Sequence, residues 1–126
     1  MTQKILIAED EKSLQSLVTF KLKSSGFEVF VVNNGEEALD FLSAATVDLI
    51  VVDLMMPVMS GKELMVELEK NDATKNIPVI ILTAKSLEKE VIEGFSLGAD
   101  DYIKKPFSPS ELVARVRNVL SRSNRL

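Results

Sequence analysis

Three carboxylates, a hydroxyl and an ammonium stand out in this chain because they follow short apolar runs directly. Glu9 and Asp10 come after the run ending at Ala8, and Asp53 closes LIVV. Thr83 and Ala84 come after VIIL, and Lys104, Lys105 and Pro106 come after Asp101–Ile103. Brought together, Glu9, Asp10 and Asp53 would repel one another, each raising the others' pKa. A hard divalent cation removes that conflict, and an all-oxygen set suits Mg2+, with Mn2+ as a substitute. Lys105 offers a compact positive charge for phosphate oxygens, and Thr83 offers a hydroxyl donor. An Asp carboxylate can itself be the nucleophile and form an acyl phosphate. The set fits phosphoryl transfer onto Asp53, with Mg2+ and Lys105 balancing the developing charge.

Each residue has a plainer reading. Glu9 and Asp10 could simply cap a helix, since acids favour helix N-termini. Asp53 could cap a loop, although a charge directly after an apolar strand usually has a reason. Thr83 could be a turn residue. Their common position at the ends of four of the five predicted strands favours the site. Of the two lysines, Lys105 precedes the proline and is assigned to the site, and Lys104 is read as solvated. The cluster Met55, Met56 and Met59 reads as packing filler.

The chain that must position these groups has 126 residues, 46% of them apolar, which suits one domain spanning 1–126. It has no Cys and no His. Disulfides, thiolate sites, serine-type triads and imidazole catalysis are thereby excluded. Nineteen acids against 15 bases give a net charge of −4, which argues against direct nucleic-acid binding. No apolar run is long enough for a membrane helix, and no signal pattern opens the chain, so a cytoplasmic location is expected.

Five apolar runs predict strands: Lys4–Ala8, Glu28–Val32, Asp48–Val52, Pro78–Leu82 and Asp101–Ile103. ILIA, LIVV and VIIL are continuously apolar, as in parallel strands covered on both faces. Between them lie helical patterns. Leu14, Leu17, Val18 and Leu22 form one stripe, with Gly26 as its stop. Asn34 with Glu37, and Ser60 with Glu63, read as capping boxes. Leu87, Val91 and Phe95 form a fourth stripe, stopped by Gly98. Ser108, Pro109 and Glu111 open the last helix, whose stripe is Leu112, Val113, Val116, Val119 and Leu120. The tail 121–126 is polar and either frays or begins a linker. This alternation predicts an α/β fold: a doubly wound, five-stranded parallel sheet with helices on both faces. Ligands bind such sheets at the carboxyl ends of the strands, where the candidate residues fall.

The ordered set Glu9-Asp10, Asp53 within VVDLMMP, Leu82-Thr83-Ala84 and Lys105-Pro106-Phe107 resembles the receiver domain of two-component response regulators. The resemblance covers essentially the whole chain, and it is the order of the motifs that makes it specific. It implies a flavodoxin-like (βα)5 sheet with strand order 2-1-3-4-5. It implies that Asp53 accepts a phosphoryl group from the phosphohistidine of a sensor histidine kinase. Glu9, Asp10 and Asp53 would hold Mg2+ together with the main-chain carbonyl of Met55. Thr83, Ala84 and Lys105 would bind the phosphoryl group, and Pro106 would follow a cis peptide. Thr83 and Tyr102 would form the switch, although Tyr102 reads nearly as well as an amphipathic edge residue.

Gly98 to Tyr102 and Ser108 to Arg115 resemble the OmpR/PhoB-type subfamily, whose regulators carry a C-terminal winged-helix DNA-binding domain. In that subfamily active receivers pair through the fourth helix, fifth strand and fifth helix. Here Asp100, Asp101, Glu111 and Arg115 would serve, with Lys89 or Arg122 as further candidates; Val91 stands where a basic partner is expected. The chain is either a stand-alone receiver or part of a longer regulator. The expected function is a phosphorylation-controlled switch with at most slow self-dephosphorylation, rather than a turnover enzyme. One rival is an aspartate-nucleophile phosphatase, which wants a second Asp where Met55 stands. Another is a nucleotide- or flavin-binding domain, which wants a Gly-rich loop where Ala8-Glu9-Asp10-Glu11-Lys12 stands. A third is a degenerate receiver acting only as a scaffold, which the complete residue set disfavours.

Overall fold

The computed structural model describes residues 2–84 and 96–123. Strand β1 (Lys4–Ala8) leads to helix α1 (Lys12–Ser24), β2 (Glu28–Val32), α2 (Gly35–Ala44) and β3 (Leu49–Asp53). Then come α3 (Gly61–Lys70), β4 (Val79–Thr83), β5 (Asp101–Lys104) and a C-terminal helix, Pro109–Ser123. The five strands form one parallel sheet in the order β2-β1-β3-β4-β5, as expected. The predicted third and fourth strands are shifted: each begins one residue later and ends one residue later, so Asp53 and Thr83 are the final strand residues. Asp48 and Pro78 act on the ladder from outside. The Lys4 main-chain N–H donates to the Asp48 carboxylate (2.7 Å), and that of Ile50 donates to the Pro78 carbonyl (3.0 Å). The stripe Leu87, Val91 and Phe95 lies outside the described residues, as do Lys89 and Lys85, the latter implied by the resemblance to control water access to the phosphoryl group together with Met55.

Alternate residues of each strand face two separate cores. Ile5, Ile7, Leu49, Val51, Ile80 and Leu82 pack with Val18 and Leu22 of α1 and with Leu112, Val116 and Val119 of the C-terminal helix. Leu6, Ala8, Ile50, Val52, Val79 and Ile81 pack on the other face with Ala38 of α2 and with Leu64, Met65 and Leu68 of α3. The period-2 geometry of a strand sends neighbours to opposite faces, so continuous apolar runs demand helices on both. The sheet is therefore doubly wound.

The helix ends explain where the chain turns back. Gly26, at φ 100°, follows α1. The Phe27 N–H reaches the Leu22 carbonyl and the Gly26 N–H reaches that of Lys23, both at 3.1 Å. This closes a Schellman motif, whose left-handed residue suits Gly. The Ser60–Glu63 capping box forms in full. At Asn34 only half of the expected box forms: its side chain accepts from the Glu37 N–H, but the Glu37 carboxylate bonds Asn33 instead (2.8 and 3.1 Å). At Ser108 the side chain accepts from the Glu111 N–H (3.1 Å), while the Glu111 carboxylate turns to Arg115. Leu17, expected in the α1 core stripe, is 47% exposed. The buried face of α1 is instead Gln15, Val18 and Leu22.

Candidate functional site

Strand register brings the singled-out residues to one edge. Ala8 sits opposite Val52, so Glu9 emerges level with Asp53. Asp53 pairs with Leu82, and Thr83 pairs with Lys104, which leaves Lys105 one step beyond the sheet. Because all strands run parallel, residues ending different strands must share one edge. Glu9, Asp10 and Asp53 each offer a carboxylate oxygen, and these oxygens all lie within 4.8 Å of one another. Such hard oxygen donors fit a Mg2+-sized cation.

Lys105 bridges two of these acids. Its Nζ donates to Asp53 Oδ2 at 2.6 Å and to Glu9 Oε1 at 3.0 Å. Burial pulls the ammonium pKa down, but the bonds it donates to Asp53 and Glu9 outweigh that, and the pKa is held above its ordinary value. Glu9 is 1% exposed. Burial, opposed by bonds from the Glu11 N–H and Lys105 and reinforced by the Asp53 charge, raises its pKa from 4.5 to about 7. Asp53 is buried too, and its Oδ1 accepts from the Met55 main-chain N–H (2.9 Å). Asp10 differs: its carboxylate is exposed and accepts no hydrogen bond among the described residues.

The surrounding backbone is fitted closely. Gly61 opens α3 against β3: a Cβ there would lie 2.3 Å from the Asp53 carbonyl oxygen and 2.7 Å from a Val52 methyl. Only glycine allows α3 to start this near Asp53. Thr83 is fully buried, and its carbonyl accepts from the Lys105 N–H (2.7 Å). The Lys105–Pro106 peptide is cis, as the resemblance implied. Ala84 and Lys104 are exposed. Ala84 lines a groove of about 400 Å³ with Glu11, Leu14, Leu17, Lys105, Pro106 and Phe107.

The methionine cluster divides. Met56 and Met59 pack against the α2–α3 core, but Met55 is 60% exposed and so is not filler. Tyr102 is half-buried, and its ring packs on the same core as Leu97 and Ala99. Arg115 pairs within the chain, with Asp101 at 2.9 Å and with Glu111 at 3.2 Å. The Asp100 carboxylate accepts from the Val79 N–H (2.9 Å), which ties β5 to β4, and Arg122 donates to the Asp100 carbonyl (3.2 Å).

Two features escaped the sequence reading. Val58, in the loop after Asp53, has φ 67° and is 73% exposed. A β-branched residue in that region is strained. Gln15 lies buried beneath the first acidic loop. Its signal was a polar residue beside Leu14 in an otherwise apolar stripe.

Among the described residues, no helix is long and apolar enough to cross a membrane. The chain is 42% identical over 123 residues to the phosphate regulon transcriptional regulatory protein PhoB of Rhizobium meliloti, covering 98% of this chain and 54% of that protein. It is also 42% identical over 123 residues to the alkaline phosphatase synthesis transcriptional regulatory protein PhoP of Bacillus subtilis, covering 98% and 50%. The chain thus spans about half the length of these curated relatives. Such relatives agree with the expected OmpR/PhoB-type subfamily. The receiver domain of the Francisella response regulator 1452 superposes with TM-score 0.91 at 37% identity, covering 98% of this chain and 100% of that one. Residues 5–117 match the response regulator receiver domain, and the chain belongs to that family.

Proposed function

We propose that Asp53 is the phospho-acceptor of this receiver, loaded from a phosphohistidine on a sensor histidine kinase. The carrying observation is the cluster of Glu9, Asp10 and Asp53 oxygens within 4.8 Å, with the Lys105 ammonium on Asp53. In the transfer, an Asp53 carboxylate oxygen forms the new O–P bond. The P–N bond of the donor breaks, and its electron pair returns to the imidazole nitrogen. Glu9, Asp10 and Asp53, with the main-chain carbonyl of Met55, would hold Mg2+. The bound ion supplies Lewis-acid screening of phosphoryl oxygens. Lys105 holds the acceptor side chain in place and meets the incoming negative charge. Thr83 and Ala84 stand beside it to bind phosphoryl oxygens through hydroxyl and main-chain N–H.

Phosphorylation adds nearly two negative charges and three strong acceptors at this edge. Thr83 and Lys105 gain partners, and Tyr102, on the neighbouring strand, is positioned to follow Thr83. Shifting a two-state surface from 1:99 to 99:1 takes about 5.5 kcal/mol of differential stabilisation. Two or three charge-assisted hydrogen bonds at roughly 1.5–3 kcal/mol each supply that. The surface so switched includes Asp100, Asp101, Glu111 and Arg115, through which we propose a phosphorylated homodimer. Met55, exposed and apolar two residues after the acceptor, orients an attacking water poorly, so self-dephosphorylation is slow.

The test is intact-mass spectrometry after incubation with acetyl phosphate, with and without Mg2+. The expected result is a gain of one phosphoryl group that needs Mg2+ and vanishes in Asp53→Asn. Labelling that persists in Asp53→Asn would place the acceptor elsewhere.

A further inference from the structure

We infer that Gln15 is a positioning residue for the metal-ligating loop, gripping the Glu9–Asp10 peptide from beneath through an amide that Asn33 holds in turn. This rests on the proposed binding of Mg2+ by Glu9, Asp10 and Asp53. A buried amide N–H is costly unless it is bonded. The Gln15 Nε2 has two protons and two acceptors: the Glu9 main-chain carbonyl and Asn33 Oδ1, the latter at 2.8 Å. The Gln15 main-chain N–H donates to the Glu11 carbonyl at 2.9 Å. One residue thus holds the acidic loop at both ends, from Glu9 to Glu11.

The consequence falls on Asp10. Its carboxylate is exposed and has no hydrogen-bond partner among the described residues, so nothing local fixes its direction. Glu9 is fixed by its side chain, through Lys105 and the Glu11 N–H, whose bond to Oε2 is 3.0 Å. The peptide joining Glu9 to Asp10 is planar, so a hand on the Glu9 carbonyl sets the plane from which Asp10 departs. Gln15 is that hand. Asn33 is itself braced. Its Oδ1 also accepts from Lys12 Nζ (2.6 Å), and its N–H and Nδ2 donate to the Glu37 carboxylate. The α2 N-terminus and the α1 N-terminus therefore hold the metal-ligating loop jointly. Removing hydrogen-bond partners that orient metal ligands typically lowers metal affinity 10–100-fold.

The experiment is a Mg2+ titration of the metal-free protein followed by amide NMR shifts, with a thermal melt of each variant. Gln15→Met keeps the side-chain length and removes both donors; its expected Mg2+ affinity is about tenfold below wild type. Asn33→Ala, a milder change outside the core, is expected to weaken Mg2+ binding in the same direction. The control is Thr74→Val, which removes a buried hydroxyl bond to the Leu68 carbonyl (2.8 Å) near the opposite edge of the sheet. It should lower the melting temperature and leave Mg2+ affinity unchanged. Wild-type affinity in folded Gln15→Met, or in Asn33→Ala should Gln15→Met not fold, would overturn the inference. An equal loss of affinity in Thr74→Val would overturn it as well, since general loosening would then account for the effect. A wild-type protein that binds no Mg2+ would instead overturn the proposed metal site itself.

Discussion

In the metal-free protein, Glu9 should make the fold less stable as pH rises. Its folded pKa of about 7 lies above the ordinary 4.5 because burial penalises the charged form. Between those values the folded state holds a proton that the unfolded chain has released. Stability therefore falls as pH rises through this window and levels off above it. A rise from 4.5 to about 7 corresponds to an upper figure of roughly 3 kcal/mol. The carboxyl is almost fully buried, so solvent screening removes little of it. For a domain of this length, that is a melting-temperature drop of at most roughly 10 °C. Lys105, raised from 10.5, contributes stability that is lost only at more alkaline pH, outside the window. The assay compares thermal melts of wild type and Glu9→Gln in a chelating buffer from pH 5 to pH 8. Glu9→Gln removes the titrating group, so the wild-type-minus-variant difference should slope downward with pH. Saturating Mg2+ should reverse that slope, because cation binding requires the ionised carboxylate. A metal-free difference that is flat or rises between pH 5 and pH 7 would refute the reasoning.

Three further outcomes follow from the geometry. Val58→Gly relieves a β-branched residue held at φ 67° with little packing to lose, and should stabilise the protein by roughly 1 kcal/mol in urea denaturation. Gly61→Ala would place a Cβ 2.3 Å from the Asp53 carbonyl oxygen, and backbone cannot yield as a side chain does; a loss of about 3 kcal/mol or more is expected in the same assay. Arg115→Ala removes a half-exposed pairing with Asp101 and Glu111, and should cost under about 1 kcal/mol of stability. If the proposed homodimer forms through this face, the same variant should weaken self-association of the phosphorylated protein in light scattering.

Much of this molecule is legible from the order of its residues. Continuous runs such as LIVV and VIIL suit only strands covered on both sides, and their alternation with amphipathic stretches implies parallel connections and helices on both faces. Parallel strands end at one edge, so residues that end or directly follow the runs must be neighbours. That is why Glu9, Asp10, Asp53, Thr83 and Lys105 could be grouped from positions up to 96 residues apart. What periodicity does not carry is the sideways relation between elements. Leu17 is exposed and Gln15 is buried, because the rotation of α1 is set by the sheet it packs on, not by its own pattern. Asp10 and Glu9 are adjacent in the chain, yet one is exposed and the other is buried deeply enough to hold its proton near neutral pH. Arg115 meets Asp101, and Asp100 meets Val79, only because β5 lies beside β4 and beneath the C-terminal helix. Spacing along the chain determined which chemical groups gather at the edge of the sheet. Register and packing, which depend on through-space distances between distant segments, decided the raised pKa values of Glu9 and Lys105, the partners each group meets and the side chains that brace them.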